Sequence, residues 1–261
     1  MVSSFVLCFY LYLFSQMNPN SGRYVWPMNI LNFHIDGDPD RILEFGIRKV
    51  INAGYTGRDQ ASVQAHIDEL KGKGIPAPEE TPVYFPVFPQ CVTQKEVHDV
   101  LHENDNTGEA EYVLLFHGKD VFVAAGNDHT DRKLEEVDIP KAKQLYPNFI
   151  SRDVWRLEDV LDHWDSLELQ SWIEKDGEKV LFQNGKLGAL MGPQELIERI
   201  GKIVDLPDLD GLVVFSGTIA SLFNIDYSPC FEVSINDPVK NRSLKLSTVF
   251  TPVSGWFLKK I

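Results

Sequence analysis

GEAEYVLLFHGKDVFVAAGNDHTDR, residues 108–132, holds two glutamates one residue apart, an apolar run, a polar turn, a second apolar run and an Asn-Asp pair. Glu111 to Phe116 and Val121 to Ala125 read as two strands, with His117-Gly118-Lys119-Asp120 as the hairpin turn between them. YVLLF does not alternate, which is the pattern of a strand covered on both faces. Side chains at i and i+2 of a strand share a face, so Glu109 and Glu111 point the same way and repel. One reading leaves both in water at a strand edge. The other puts a cation between them, because a carboxylate pair leading into a covered strand needs compensation. Carboxylates without a histidine or thiolate ligand select a hard ion: magnesium, manganese or calcium.

Outward from this stretch the chain reads as strands, short helices and strands again. MNILNFHID (residues 28–36) alternates as a strand, turns at Gly37-Asp38-Pro39 and continues through FGIRKVINAGY (45–55). Residues 59–71 place Val63, Ile67 and Leu70 on one helical stripe, with Asp59 as N-cap. The proline-rich segment 75–90 is extended loop or edge strand. A helix is expected over 153–163. LELQSWIE and EKVLFQ form a hairpin about Asp176-Gly177. A short helix GPQELIERI precedes the strand GLVVFSGT, and CFEVSI pairs with SLKLSTVF. The fold class is therefore α+β, β-rich, with a mixed, mainly antiparallel sheet and few short helices.

The 261 residues, 43% hydrophobic, suffice for a full core. A formal net charge of −13 leaves no field for a phosphate backbone, so no nucleic-acid partner is expected. Cys8, Cys91 and Cys230 lack the spacing of a zinc or redox site and fit a reducing, cytoplasmic setting. MVSSFVLCFYLYLFSQ at the N-terminus is apolar but has no basic flank and is short of a membrane helix. Residues 1–27 are accordingly expected to be an extension or a packed arm, with no membrane role, and residues 28–261 the domain proper.

The ordered motifs resemble those of the fumarylacetoacetate hydrolase superfamily, over about residues 50–236. That superfamily has a Glu-x-Glu pair at a strand start, matched by Glu109-Ala110-Glu111. Downstream it has Asn-Asp-x-Ser/Thr-Ala-Arg-Asp, matched by Asn127-Asp128-His129-Thr130-Asp131-Arg132-Lys133. Gly57-Arg58, His66-Ile67-Asp68-Glu69 and Pro82-Val83-Tyr84-Phe85 correspond to its N-terminal turn, lid helix and following loop. Ala142-Lys143, Asn184-Gly185 and Gly217-Thr218 match its later motifs. The departures are Asp131 and Lys133 in the Asp motif, a short Glu111–Asp128 gap, and Asp59-Gln60 in the first turn.

The resemblance implies Glu109, Glu111 and Asp128 as ligands of Mg²⁺ or Mn²⁺, with Ca²⁺ the third option. It implies catalytic roles for His66, Glu69 and Lys143, and substrate contacts from Arg58, Arg132 and Thr218. His66 and Glu69, at i and i+3, are neighbours on a helix, so Glu69 can orient and stabilise the imidazole as a base. His129 is the second candidate base, whereas His98, His102 and His163 read as surface or helix residues. The expected activity is metal-dependent hydrolysis of a carbon–carbon bond, through an enolate, in a small oxo acid or sugar-acid-like substrate. Decarboxylation, dehydration or tautomerisation on the same chemistry, and a non-catalytic dimeric acid-binding protein, are the alternatives. A homodimer is expected. Leu222, Phe223, Ile225, Phe231, Trp256 and Phe257 offer more apolar surface than one sheet face buries.

Overall fold

The computed structural model describes residues 28–72, 77–204, 209–225 and 227–256. The expected N-terminal extension lies outside them, as do Phe257 and the side chains of His66, Glu69 and Leu70. Among the described residues the chain runs β1 (Asn29–Ile35), β2 (Ile42–Ile47), β3 (Lys49–Gly54), α1 (Gln60–Gly72), β4 (Val83–Val87), β5 (Val92–Thr93), β6 (Val97–Val100), β7 (Asn106–Thr107), β8 (Ala110–His117), β9 (Asp120–Asp128), β10 (Thr130–Asp131), α2 (Arg132–Glu135), α3 (Ile139–Leu145), β11 (Asn148–Ile150), β12 (Asp153–Arg156), β13 (Glu168–Lys175), β14 (Glu178–Lys186), α4 (Pro193–Ile200), β15 (Leu212–Phe215), β16 (Cys230–Asp237) and β17 (Arg242–Pro252). No helix among them is long and apolar enough to cross a membrane.

The larger sheet follows the path β2-β1-β12-β9-β8-β15-β3-β4, with β11 and β5 branching from β9, and a five-stranded sheet runs β14-β13-β16-β17-β6. Pairing is mainly antiparallel. The parallel pairs are β1 with β12, β5 with β11, β3 with β15 and β6 with β17.

The unalternating run of β8 is explained by two cores. Ala110, Tyr112, Leu114 and Phe116 face Leu169, Ile173, Phe231 and Val233 of the smaller sheet. Val113 and Leu115, on the opposite face, join Phe33, Phe45, Phe122 and Phe215. Phe45 of β2 and Val87 of β4 come from opposite ends of the larger sheet yet meet in this second cluster, so that sheet curls around it. The hairpin at 117–120 forms as expected, with His117 opposite Asp120. So does the one at Asp176-Gly177, both left-handed with φ of 55° and 79°.

Two expectations are corrected. Residues 153–163 are not a helix but β12 followed by short 3-10 turns at Leu157–Asp159 and Leu161–Ser166. Trp155, opposite Val123 of β9, is buried in the core between the two sheets, and pairing there outweighs helical propensity. Residues 45–55 are not one strand, because Arg48 separates β2 from β3, and its N–H and that of Lys49 both turn to Gly211 O. Of the apolar residues read as surplus surface, Phe231 is core and Phe223 and Ile225 pack against it, while Leu222 and Trp256 are exposed.

Candidate metal centre

β8 begins where β9 ends, which brings their acidic residues together. Ala110 lies opposite Asn127 and Glu111 opposite Gly126. The Asp128 N–H donates to Glu109 O at 3.0 Å, and the Glu109 N–H to Asn127 Oδ1 at 3.1 Å. Glu111 shares its face with Val113 and Leu115, and Asp128 with Ala124 and Gly126, so both carboxylates enter the end of the curled sheet's interior. A side chain at Gly126 would sit 2.4 Å from Val113 Cγ2 and 2.8 Å from the Phe215 ring, so only glycine lets the strands close here. One oxygen from each of Glu109, Glu111 and Asp128 lies within 4.8 Å of the others. Glu111 and Asp128 are buried, and Glu109 reaches the surface.

Two cations from the following helices close on this group. Asp138 caps α3 by accepting from the Lys141 N–H at 3.1 Å, and the helix buries Lys143. Lys143 Nζ donates to Asp128 Oδ2 at 2.6 Å, to Glu109 Oε2 at 3.2 Å and to Thr130 Oγ1 at 3.1 Å, and stands 3.6 Å from Glu135. Asp131 caps α2, whose Arg132 bonds Glu109 Oε1 at 2.9 Å, Glu135 Oε2 at 3.0 Å and Thr107 Oγ1 at 2.6 Å. Burial pushes the Glu109 carboxyl up, but Lys143 and Arg132 outweigh it and hold it at about 2. Glu111 has no ion pair among the described residues. Burial, then the charges of Asp128 and Glu109, raise it well above the usual carboxylate range. Asp128 is also raised, by burial more than Lys143 lowers it.

With Glu109, Glu111, Asp128 and Glu135 all ionised, four carboxylates against Lys143 and Arg132 carry two net negative charges, and the raised Glu111 and Asp128 carboxyls show what that costs without a further cation. Two is the charge of one divalent ion, and three converging carboxylates are the donor set of a hard one, so the residues fit magnesium or manganese.

Backbone and amide groups fix the ligands. Glu111 Oε2 accepts from the Gly217 N–H at 2.9 Å. Gly217 has φ +85°, and a Cβ there would lie 2.5 Å from Thr56 Oγ1, so glycine is needed on both counts. Thr218 Oγ1 donates to Ala110 O at 2.7 Å and accepts from Gln183 Nε2 at 2.8 Å. Gln183 Oε1 takes the Ala110 N–H at 3.0 Å, which pins the residue between the two glutamates to the smaller sheet. Glu135 and Gln183 were not singled out from the sequence. Glu135 offered no motif, and Gln183 only its place directly after the apolar run Val180–Phe182.

The remaining expected residues lie apart from this cluster or beyond description. α1 forms as expected, with Asp59 accepting from the Ala61 N–H at 3.1 Å and Val63 and Ile67 buried, but the side chains of His66 and Glu69 lie outside the described residues. Arg58 forms a two-bond fork with Asp165, both at 2.7 Å, and borders two clefts of about 270 and 430 Å³. The carboxylates line neither cleft, but Tyr55, on the wall of the smaller one, feels the charges of Glu135 and Lys143. His129 is corrected as a base. It is buried, stacked on Phe250 at 4.1 Å and bonded to Asn106 at 2.9 Å, and burial followed by Arg132 holds it well below its usual pKa. His163 lies in the 3-10 turn Leu161–Ser166, largely covered, between the exposed Asp162 and the buried Asp237.

A β-rich chain with two packed sheets and an acidic centre at a hairpin's open end is the class of protein defined so far. The chain belongs to the family described as protein of unknown function (DUF2848), whose model matches residues 53–247. No curated protein matches it. Among solved structures it is similar to Cg1458 with inhibitor, at 18% identity and a TM-score of 0.60 over 82% of this chain and 81% of that one. It is similar also to 2-keto-3-deoxy-D-arabinonate dehydratase complexed with magnesium and 2,5-dioxopentanoate, at 14%, 0.56 and 82% and 78% coverage. A third is 4-oxalocrotonate decarboxylase from Pseudomonas putida G7 complexed with magnesium and adipate, at 16%, 0.52 and 77% of both chains. These likenesses bear out the expected fold class, the β-rich mixed-sheet fold of the fumarylacetoacetate hydrolase type.

Proposed function

We propose that the chain is a magnesium- or manganese-dependent enzyme of the fumarylacetoacetate hydrolase superfamily, with residues 28–261 as its working unit. Its substrate in this reading is a small oxo acid or sugar-acid-like compound. The observation that carries it is the convergence of one carboxylate oxygen from each of Glu109, Glu111 and Asp128 within 4.8 Å. Relatives in fold complexed with magnesium and dicarbonyl or dicarboxylic compounds support the same reading.

A divalent ion held by the three carboxylates supplies Lewis acidity to a carbonyl oxygen and so favours the enolate form of an oxo acid. Lys143 and Arg132 add fixed positive charge, and Lys143 stays protonated because, although burial disfavours its charge, Asp128 and Glu109 hold its pKa raised. Thr218 and Gln183 keep the Glu-x-Glu backbone from shifting as charge changes in the centre. The base in this reading is His66, with Glu69 three positions further along α1, and it would take a proton from the attacking water. In the hydrolytic reaction that water's oxygen bonds to a carbonyl carbon, the carbon–carbon bond breaks, and its electron pair is left on the fragment that becomes the enolate. A homodimer is part of the proposal, with the exposed Leu222 and Trp256 among the apolar residues a two-fold interface would cover.

The test is proton exchange at C3 of pyruvate or oxaloacetate, followed by NMR with and without added metal, beside a screen of oxo acids and lactonised sugar acids. Metal-dependent exchange that is lost in Glu111→Gln is the expected result. Metal binding without exchange or turnover on any of these acids would make the protein a binder and not an enzyme.

A further inference from the structure

We infer that Asn148 Oδ1 is a fourth oxygen ligand of the ion at the carboxylate centre, with Asn52 holding the amide in place. This rests on the metal-dependent reading above and adds a neutral donor from outside the Glu-x-Glu and Asp motifs.

Strand pairing puts two amides among the carboxylates. Asn148 of β11 lies directly opposite Asp128 of β9, and directly opposed residues share a face, with Cβ atoms about 4.5–5.5 Å apart. Ile150, opposite Gly126, packs in the second cluster, so Asn148, two residues before it, also enters the interior of the curled sheet. Asn52 of β3 reaches that interior from the other side. Val50 belongs to the second cluster and Ile51 and Ala53 to the first, which sets Asn52 on the face of Val50, and it lies opposite Phe215 of the second cluster. β9, β8 and β15 separate β11 from β3 along the sheet, yet Asn148 Nδ2 donates to Asn52 Oδ1 at 2.7 Å. The amide pair therefore spans the curl, and Asp128 and Glu111 enter the same space from two of the strands between.

The pair is buried but only half satisfied. Asn148 is fully covered and Asn52 is 2% exposed, and among the described residues neither Asn148 Oδ1 nor Asn52 Nδ2 has a hydrogen-bond partner. The ammonium of Lys143 does not serve the amide oxygen, since it donates to Asp128, Glu109 and Thr130. A buried acceptor without a donor costs stability unless an electropositive group meets it. Beside three converging carboxylates that group is a hard cation, which takes amide carbonyl oxygens as well as carboxylates. An amide oxygen also adds to the coordination without adding to the repulsion among the acidic side chains. Its bond to Asn52 fixes the rotation of the amide, as groups behind a metal ligand commonly do, and leaves Asn52 Nδ2 as a donor suited to an oxygen carried by the same ion.

The experiment is calorimetric titration of the full chain with MnCl₂, with the waters on the bound ion counted from water-proton relaxation. Asn148→Ala should bind Mn²⁺ about tenfold or more weakly than the parent and carry one more water on the ion. Asn148→Asp keeps an oxygen at that place but cannot donate to Asn52, and it should restore the parent's affinity and water count. An amide that serves only its bond to Asn52 predicts the reverse: a loss of folding stability that aspartate does not repair, with Mn²⁺ affinity unmoved. A crystal structure of the parent with Mg²⁺, which needs no variant, should place Asn148 Oδ1 about 2.1 Å from the ion. Parent-like affinity and water count in Asn148→Ala, or an ion in that crystal coordinated without Asn148 Oδ1, overturns the inference and leaves the metal reading standing. Failure of the parent to bind either metal overturns both.

Discussion

Replacing Glu111 by glutamine separates a metal centre from a buried ion-pair network, because the two respond with opposite signs. Glu111 is the one of the three carboxylates with no ion pair among the described residues, and its Oε2 accepts only the Gly217 N–H. Its neighbours' oxygens lie within 4.8 Å. Two like charges at that distance repel by about 3–4 kcal/mol at an effective dielectric of about 20. Lys143 offsets part of this, which leaves about 1–3 kcal/mol of strain in the metal-free protein when Glu111 is ionised. Glutamine keeps an acceptor for Gly217 and removes the charge. The metal-free variant should therefore melt higher than the parent, by roughly 3–10 °C in a chain of this size.

Metal reverses the order. An ion at about one hundred times its Kd stabilises the parent by about 2.7 kcal/mol, and the glutamine variant should gain almost none of that. Scanning calorimetry with and without millimolar MgCl₂ or MnCl₂ reads both effects. If the variant without metal melts below the parent, or if it keeps the metal-induced rise, the assignment of Glu111 as a ligand is wrong.

Lys143→Met leaves the Asp128 and Glu109 charges buried without their ammonium and should cost about 3–5 kcal/mol in urea denaturation without metal. Added Mg²⁺ should recover part of the loss. Glu109 has its folded pKa depressed from 4.5 to about 2, so its contribution to stability is in place above about pH 4.5 and is lost as pH falls towards 2. Acid unfolding followed by circular dichroism should show a flatter acid limb in Glu109→Gln. His66→Ala should abolish turnover while leaving metal affinity intact, as a base on a closing helix requires; an unchanged rate removes α1 from the mechanism. Light scattering at micromolar protein should return twice 29.7 kDa, and the single-chain mass would defeat the dimer.

What could be read from the sequence was what the chain places locally. YVLLF announced a strand covered twice, and Tyr112, Leu114 and Phe116 do face one core while Val113 and Leu115 face the other. The hairpin that follows returns Asp128 beside Glu109, so one turn of known geometry is enough to gather the three carboxylates. Lys143 reaches Glu109 across only 34 positions, and the motif order preserved that proximity. What was not legible depends on contacts set by the packing of distant strands. Gln183 is 73 positions from Ala110, and no local pattern marks it as a support of the site; Gly217, 106 positions from Glu111, was legible as half of a Gly-Thr motif but not as the donor to Glu111. Trp155 was read into a helix because its burial depends on a neighbour, Val123, that only the folded sheet supplies. His129 misled for the complementary reason. Its place beside Asp128 suggested chemistry, but alternation along the extended chain turns it to the opposite face, onto Phe250, where a charged imidazole has no counter-ion. The same alternation that carries Glu111 and Asp128 into the centre thus takes His129 out of it.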